Sequence, residues 1–377
     1  MLDLSGLPVV DNHCHPVLRE QHMDVMQFRS YFSEATHPDF AQQHIPHTIY
    51  YLWLLHQLTA LYWSERREDA LIAARNRFTS DELLRKLIQS ANIETLILDI
   101  AYPVPDRCYS SETMAEIGGC RVAKLLRLET LMEQLIMVFG DFDEVVERLA
   151  SEVTNAREHG FCALKSIVAY RTGLMVSEWS KDKAARAFIE ARAEATKTGK
   201  LRVTQKPLID YLLHVAFARA AKQRLPIQFH TGYGDNDADL RLGNPLHLRA
   251  VLEKREYWDM PVVLLHESYP YTEPGAYLAA VYPHVYFDLS YTIPFVEKLE
   301  MLAFTRQALS VAPASKLLYS SDGIYVPEMH WAGAMRGRSV IGQALGEMIK
   351  IGEIDVQEGF ALAKLILHDN ACALYNL

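Results

Sequence analysis

Short apolar runs alternate along the chain with longer stretches in which apolar residues recur every three to four positions. The short runs predict buried β-strands, and the longer stretches predict amphipathic helices. The predicted strands cover residues 7–13, 95–101, 122–128, 161–168, 226–230, 262–266, 285–289 and 316–321. Strands that alternate with helices form parallel sheets, and eight such units predict an α/β fold of the (β/α)8 TIM-barrel type.

The alternation is interrupted once, between the first and second predicted strands. Residues 17–92 are rich in aromatic residues and helix formers, including HTIYYLWLLHQLTALYW, and carry no strand pattern. We interpret them as a helical insertion within a single domain of residues 1–377. The loop after a barrel strand leaves from the face that carries the chemistry, so the insertion is expected to form a lid. Packing or oligomer contacts without a catalytic role are the alternative.

Composition narrows the class of partner. The 377 residues are 50% hydrophobic and carry a formal charge of −9, with acids and bases mixed along the chain. This mixture argues against nucleic-acid and membrane partners and favours a small-molecule substrate. A homo-oligomer is compatible with the sequence.

Five scattered cysteines, none in C-x-x-C spacing, predict a reducing compartment. The sequence shows no basic and apolar leader and no apolar run of membrane-spanning length. We therefore expect a cytoplasmic protein.

Two histidines stand one residue apart where the first apolar run ends, in VVDNHCHPVL. Side chains alternate between the faces of a strand, so His13 and His15 point the same way and Cys14 points the other. A shared cation is one good reason to bring two imidazoles together. Two exposed loop histidines are the alternative.

Other potential ligands follow later strands. His230 ends the run LPIQFH, His266 ends PVVLLH, and Asp322 follows KLLYSS. A barrel brings the carboxyl ends of its strands together, so these residues are predicted to join His13 and His15 in a catalytic metal site. A divalent cation there lowers the pKa of bound water, and Asp322 would be both ligand and proton acceptor. Zinc is the default for such ligands, although other metals accept similar sets.

Lys165 lies within a predicted strand, in GFCALKSIVAY. An ammonium group in the metal layer would be repelled by a cation. Carbamylation would convert Lys165 into an anionic ligand that bridges two metals. Alternatively, it is an ordinary lysine that pairs with a substrate carboxylate or a nearby acid. The number of metal ions, one or two, depends on this choice.

Three pairs of residues near strand ends are candidates for substrate binding: Tyr170 with Arg171, Ser268 with Tyr269, and Glu328 with His330. The arginine fork of Arg171 suits a substrate carboxylate. A surface salt bridge, a turn and helix capping are the respective alternatives.

With these residues the chain resembles the amidohydrolase superfamily, specifically its amidohydrolase-related branch. The stretches LKSIVAYRTGL, SSDG and ILHDNACALYNL are similar to the amidohydrolase domain that some nodulin and fungal developmental proteins carry fused to a glutamine-synthetase-like domain. The resemblance implies a metal-dependent TIM barrel. It matches His13 and His15 to the strand-one pair, His230 and His266 to the histidines of strands five and six, and Asp322 to the strand-eight aspartate.

The resemblance also bears on catalysis. In one-metal members the strand-six histidine is freed from ligation and positions or deprotonates the attacking water, which suggests that role for His266. We expect a hydrolase that cleaves an amide, ester or related bond with activated water. A nonoxidative decarboxylase of a small carboxylated substrate and a catalytically silent binding barrel are the alternatives.

Overall fold

A computed structural model describes residues 2–103 and 105–377 of the chain. It contains an eight-stranded parallel sheet, and all eight predicted strands are present with slightly different ends. The strands are β1 Val9–Cys14, β2 Ile93–Asp99, β3 Arg121–Arg127, β4 Phe161–Ser166, β5 Ile227–Phe229, β6 Val262–Leu264, β7 Val285–Ser290 and β8 Leu317–Ser320.

Each strand pairs in parallel with the next one along the chain, from β1 to β8. The sheet then curves back on itself, because the chain after β8 bonds to β1. The amide of Asp322 donates to the carbonyl of His13 at 3.0 Å, and the amide of Ser321 donates to Oδ1 of Asp11 at 2.8 Å. The predicted (β/α)8 barrel is therefore confirmed.

Helices surround the barrel after β2. They are α6 Ser111–Gly118, α7 Leu128–Val138, α8 Phe142–Thr154, α9 Lys181–Thr198, α10 Lys206–Gln223, α11 Arg249–Leu252, α12 Thr272–Val281, α13 Lys298–Val311, α14 Pro327–Ile351, α15 Val356–Lys364 and α16 Asn370–Tyr375. No helix in the described ranges has both the length and the apolar character that crossing a bilayer requires.

The segment between β1 and β2 is helical. Its helices are α1 Val25–Ser30, α2 Pro38–Gln43, α3 Ile49–Tyr62, α4 Glu68–Arg75 and α5 Ser80–Ser90. Helix α5 starts at a capping box, in which Thr79 and Glu82 accept from each other's amides. It packs between α6 and α14 as part of the outer ring, whereas α1 to α4 pack mainly on one another. The part of residues 17–92 that stands outside the ring thus ends before α5.

The apolar core has two layers. One lies between the sheet and the surrounding helices, and a smaller one fills the barrel interior with Val10, Ile97, Leu125, Val263 and Leu318. Helix α16 closes the amino-terminal end of the barrel, where the Tyr375 hydroxyl accepts from Nε2 of Gln228 at 2.8 Å. The packed interior leaves the carboxyl end of the barrel as the place for chemistry.

Candidate metal centre

A cavity of about 490 Å³ opens at the carboxyl ends of the strands. Its wall includes His13 from β1, Lys165 from β4 and residues that follow β5, β6 and β8. Tyr31 and Glu34, which lie between α1 and α2, also line the cavity. The cavity therefore joins the barrel mouth to the helical segment after β1.

Three histidine nitrogens surround one carboxylate at the floor of the cavity. Oδ1 of Asp322 lies 3.6 Å from Nε2 of His13 and 3.6 Å from Nε2 of His15, and Oδ2 lies 3.3 Å from Nδ1 of His266. Two ligands of a tetrahedral zinc ion with bonds of about 2.0–2.2 Å lie roughly 3.3–3.6 Å apart. The ligand atoms of His13, His266 and Asp322 also lie within 4.8 Å of one another, so these three side chains fit a shared cation, and His15 approaches the same carboxylate.

The protonation of these groups in the protein alone also favours a cation. Burial lowers the pKa of His13 and His266 well below the ordinary value, and it lowers the pKa of His15 to about 4. All three rings are thus neutral and offer a lone pair. Burial also raises the pKa of Asp322 well above its ordinary value, against the opposing charge of Lys165. A bound cation would reverse that shift and favour the carboxylate.

Carbonyl groups fix the orientation of two of the rings. Nδ1 of His15 donates to the carbonyl of Tyr102 at 3.0 Å, which leaves the lone pair on Nε2, the nitrogen that faces Asp322. Nε2 of His230 donates to the carbonyl of Tyr233 at 2.7 Å. His230 packs against His266 with ring centroids 4.4 Å apart, and only its Nδ1 is left to ligate a metal.

Lys165 lies inside the predicted metal layer. Its Nζ is 3.1 Å from Nε2 of His13, and burial lowers the pKa of the amine to about 8. The amine and a cation would compete for the same His13 lone pair. Lys165 must therefore turn aside, lose its proton or be modified when that nitrogen binds a metal.

Two candidate substrate residues, Tyr170 and Arg171, line the cavity. Nη2 of Arg171 bonds to Glu133 at 3.2 Å, while its Nε is buried and has no partner within residues 2–103 and 105–377. The guanidinium group therefore retains a free donor beside the cavity.

The other four candidates do not line the cavity within the described part of the chain. Ser268 bonds to Thr231 at 2.9 Å, and Tyr269 packs against Phe295 and Phe304. Glu328 lies in a fully buried ion pair with Arg75, at 2.6 Å, and caps no helix. Nε2 of His330 bonds to the backbone carbonyl of His15 at 3.1 Å. These contacts indicate that the four side chains stabilise the surrounding loops.

The structure adds four residues that the sequence did not suggest. Arg127 ends β3, lines the cavity and pairs with Asp99, at 2.5 Å, at the end of β2. Both could have been found by the strand-end rule that identified the histidines. Tyr233 donates its hydroxyl hydrogen to Oδ2 of Asp322 at 3.1 Å. Glu34 reaches the cavity from the helical segment between β1 and β2. It follows no strand, so the strand-end rule could not identify it.

The amidohydrolase family profile matches residues 131–377. The protein fluG of Emericella nidulans is 28% identical over 98% of this chain, and the chain spans about half of that protein, 46% of its length.

Solved structures with the same architecture include a Lactobacillus casei ATCC 334 protein for which a metal-dependent hydrolase activity has been suggested. It has a TM-score of 0.88 and 28% identity, covering 100% of this chain and 98% of its own. The uronate isomerase of Thermotoga maritima shares the fold with a TM-score of 0.69 and 16% identity, covering 98% and 95% of the two chains. The predicted membership is confirmed, and the chain belongs to the amidohydrolase family.

Proposed function

We propose that this protein is a metal-dependent hydrolase that cleaves an amide, ester or related bond of a small molecule with activated water. The observation that carries the proposal is the approach of three neutral histidine nitrogens to the Asp322 carboxylate at 3.3–3.6 Å. Family membership and the suggested activity of the Lactobacillus casei protein support the same class of reaction.

The residues suited to hold the cation are His13, His266 and Asp322, whose ligand atoms all lie within 4.8 Å of one another. His15, with Nε2 3.6 Å from Asp322, and Nδ1 of His230 are proposed as further donors. Nitrogen and carboxylate donors favour zinc, and the short distance between Lys165 and His13 favours a single ion. When bound, the ion supplies Lewis-acid activation of water and of the scissile carbonyl group.

Asp322 is the proposed proton acceptor. Its carboxylate borders the cavity, so it can take a proton from the attacking water and return it to the leaving group. His266 contacts the other side of the same carboxylate and would ligate the cation or orient the electrophile. The two residues thus account for proton transfer and for substrate orientation.

The helical segment is proposed to act as the lid. Tyr31 stacks on Tyr325 with ring centroids 4.9 Å apart, and both side chains line the cavity. This contact joins the segment after β1 to the loop after β8. Closure would exclude water other than the reacting molecule and strengthen electrostatic interactions within the site.

A decarboxylase is the second candidate, and the arginines of the cavity favour it. Arg127 and Arg171 lie in the wall, and Arg171 keeps a free buried donor that suits a substrate carboxylate. In that reaction the same cation and Asp322 would bind the carboxylated substrate, and no water would be consumed.

Isotope labelling distinguishes these reactions. The zinc-loaded protein should be assayed in H₂¹⁸O against N-acyl amino acids, simple esters, lactones and small aromatic and aliphatic carboxylic acids. Hydrolysis places ¹⁸O in the carboxylate product, whereas decarboxylation releases CO₂ and leaves the remaining product without oxygen from the solvent. A zinc-loaded protein that turns over none of these compounds but binds some of them would contradict the proposal and favour a binding role.

A further inference from the structure

Tyr233 connects two residues of the candidate metal centre. It follows β5 in the sequence HTGYG, and its side chain is buried in the cavity wall. Its carbonyl accepts from Nε2 of His230 at 2.7 Å, and its hydroxyl donates to Oδ2 of Asp322 at 3.1 Å. The backbone and the side chain of one residue thus contact the histidine of strand five and the aspartate after strand eight.

The glycines on either side fix the position of Tyr233. Gly232 has a φ of 73°, and a Cβ atom there would clash with the backbone of Ser268 and Tyr269. A Cβ atom on Gly234 would clash with the hydroxyl of Tyr170. The loop is therefore pressed against its neighbours on both sides, and the tyrosine between the glycines has little freedom to move.

The hydroxyl contacts one specific oxygen of Asp322. Oδ1 faces the Nε2 atoms of His13 and His15, while Oδ2 faces Nδ1 of His266 and the Tyr233 hydroxyl. Rotation of the carboxylate about its Cβ–Cγ bond would break the bond to Tyr233. The torsion angle about this bond otherwise varies widely, so a fixed donor on Oδ2 restricts the orientation of the carboxylate.

We infer that Tyr233 is a positioning residue for Asp322, which keeps Oδ1 turned toward His13 and His15 and Oδ2 toward His266. The inference rests on the proposed function, because it assigns Asp322 an orientation that matters for metal binding and proton transfer. Groups that orient metal ligands in this way commonly change affinity or activity about 10- to 100-fold when removed.

The test replaces the hydroxyl and keeps the ring. Tyr233→Phe retains the edge contacts of the ring with His266 and Phe295, so the variant should fold. Tyr271→Phe is the matched control, because the Tyr271 hydroxyl also donates to an oxygen, the carbonyl of Leu240 at 3.0 Å, but lies outside the cavity wall. Thermal unfolding of both variants checks the fold.

Binding of Co²⁺ gives a readout that does not depend on turnover. We expect Tyr233→Phe to raise the Co²⁺ dissociation constant about 10- to 100-fold and to shift the visible absorption bands of the bound ion. Tyr271→Phe should match the wild type in both. A Tyr233→Phe protein with wild-type affinity and spectrum would overturn this inference alone, whereas a folded wild-type protein that binds no Co²⁺ would overturn the proposed function as well.

Discussion

Nδ1 of His266 lies 3.3 Å from Oδ2 of Asp322, and both residues have left-handed backbone conformations, with φ of 58° and 52°. Such conformations cost about 1–3 kcal/mol each for residues other than glycine, and they concentrate at functional sites. The surroundings hold both residues in place, since the His266 amide bonds to Asp288 at 2.9 Å and the Asp322 amide to the His13 carbonyl at 3.0 Å. The strained backbone of these two residues supports their assignment to a functional site.

The role of Asp322 predicts the effect of Asp322→Asn. The amide keeps the shape of the side chain but cannot accept a proton, so kcat should fall about 10²- to 10⁴-fold while KM changes little. Kinetics should be measured on the best hydrolysed compound at equal metal occupancy, because an amide is a poorer ligand. Wild-type turnover by a metal-loaded Asp322→Asn protein would show that another group accepts the proton, and His266 would be tested next.

The ion pair between Arg75 of α4 and Glu328 of α14 predicts a large effect on stability. Both side chains are fully buried, and Nε of Arg75 is 2.6 Å from the carboxylate. Arg75→Met leaves Glu328 buried without its cation, so the free energy of unfolding in urea should fall by about 3–5 kcal/mol. Arg67→Met removes an exposed pair with Asp69 and should change stability little. Equal effects of the two variants would contradict a structural role for the buried pair.

The raised pKa of Glu34 predicts that the stability of the protein changes with pH. Burial, with a smaller contribution from the charge of Asp235, raises the pKa of this carboxyl group from 4.5 to about 7. Folding therefore favours the protonated form, and the wild-type protein loses stability as the pH rises from about 4.5 to 7. Glu34→Gln should leave stability at pH 4.5 almost unchanged and raise it by about 1–3 kcal/mol at pH 8.

The measurement for Glu34 is urea unfolding at the two pH values. Asp39→Asn serves as a control, because Asp39 is an exposed acid of the neighbouring helix α2. A stabilisation by Glu34→Gln that is equal at both pH values would contradict the assigned cause.

The chemical state of Lys165 determines the expected number of bound ions. Its amine contacts His13 directly, and we expect it to stay unmodified, so the protein should hold a single cation per chain whether or not bicarbonate is present. Metal analysis after dialysis with and without bicarbonate, together with ¹³C NMR of protein exposed to ¹³C-bicarbonate, measures this. Two ions that depend on bicarbonate, with a carbamate signal, would show that Lys165 is a bridging ligand.

The fold could be predicted because its determinants are local. Each strand is a short apolar run between helical patterns, and strand topology alone brings His13, His266 and Asp322 to one end of a barrel. The orientation of a histidine ring, in contrast, depends on contacts with other segments of the chain. The carbonyl of Tyr233 decides which nitrogen of His230 is free, and that carbonyl depends on the close packing of a loop.

Contacts between distant segments could not be predicted. Glu328 lies in the first turn of α14, where sequence suggests a cap or a substrate contact, but its partner Arg75 is 253 residues away along the chain. Glu34 reaches the cavity from a helical segment whose path the apolar pattern does not determine. A single sequence carries no signal for such pairs.

We expect His13 and His15, together with Asp322, to hold a divalent cation. The most direct measurement is the metal content of the wild-type protein and of His13→Ala/His15→Ala after incubation with zinc and removal of unbound ions. His44→Ala/His47→Ala, which removes two exposed histidines of the helical segment, is the matched control. We expect a stoichiometric ion in the wild-type and control proteins and none in the folded His13→Ala/His15→Ala variant. Equal metal content in all three proteins, or a folded wild-type protein that binds no zinc, would contradict it.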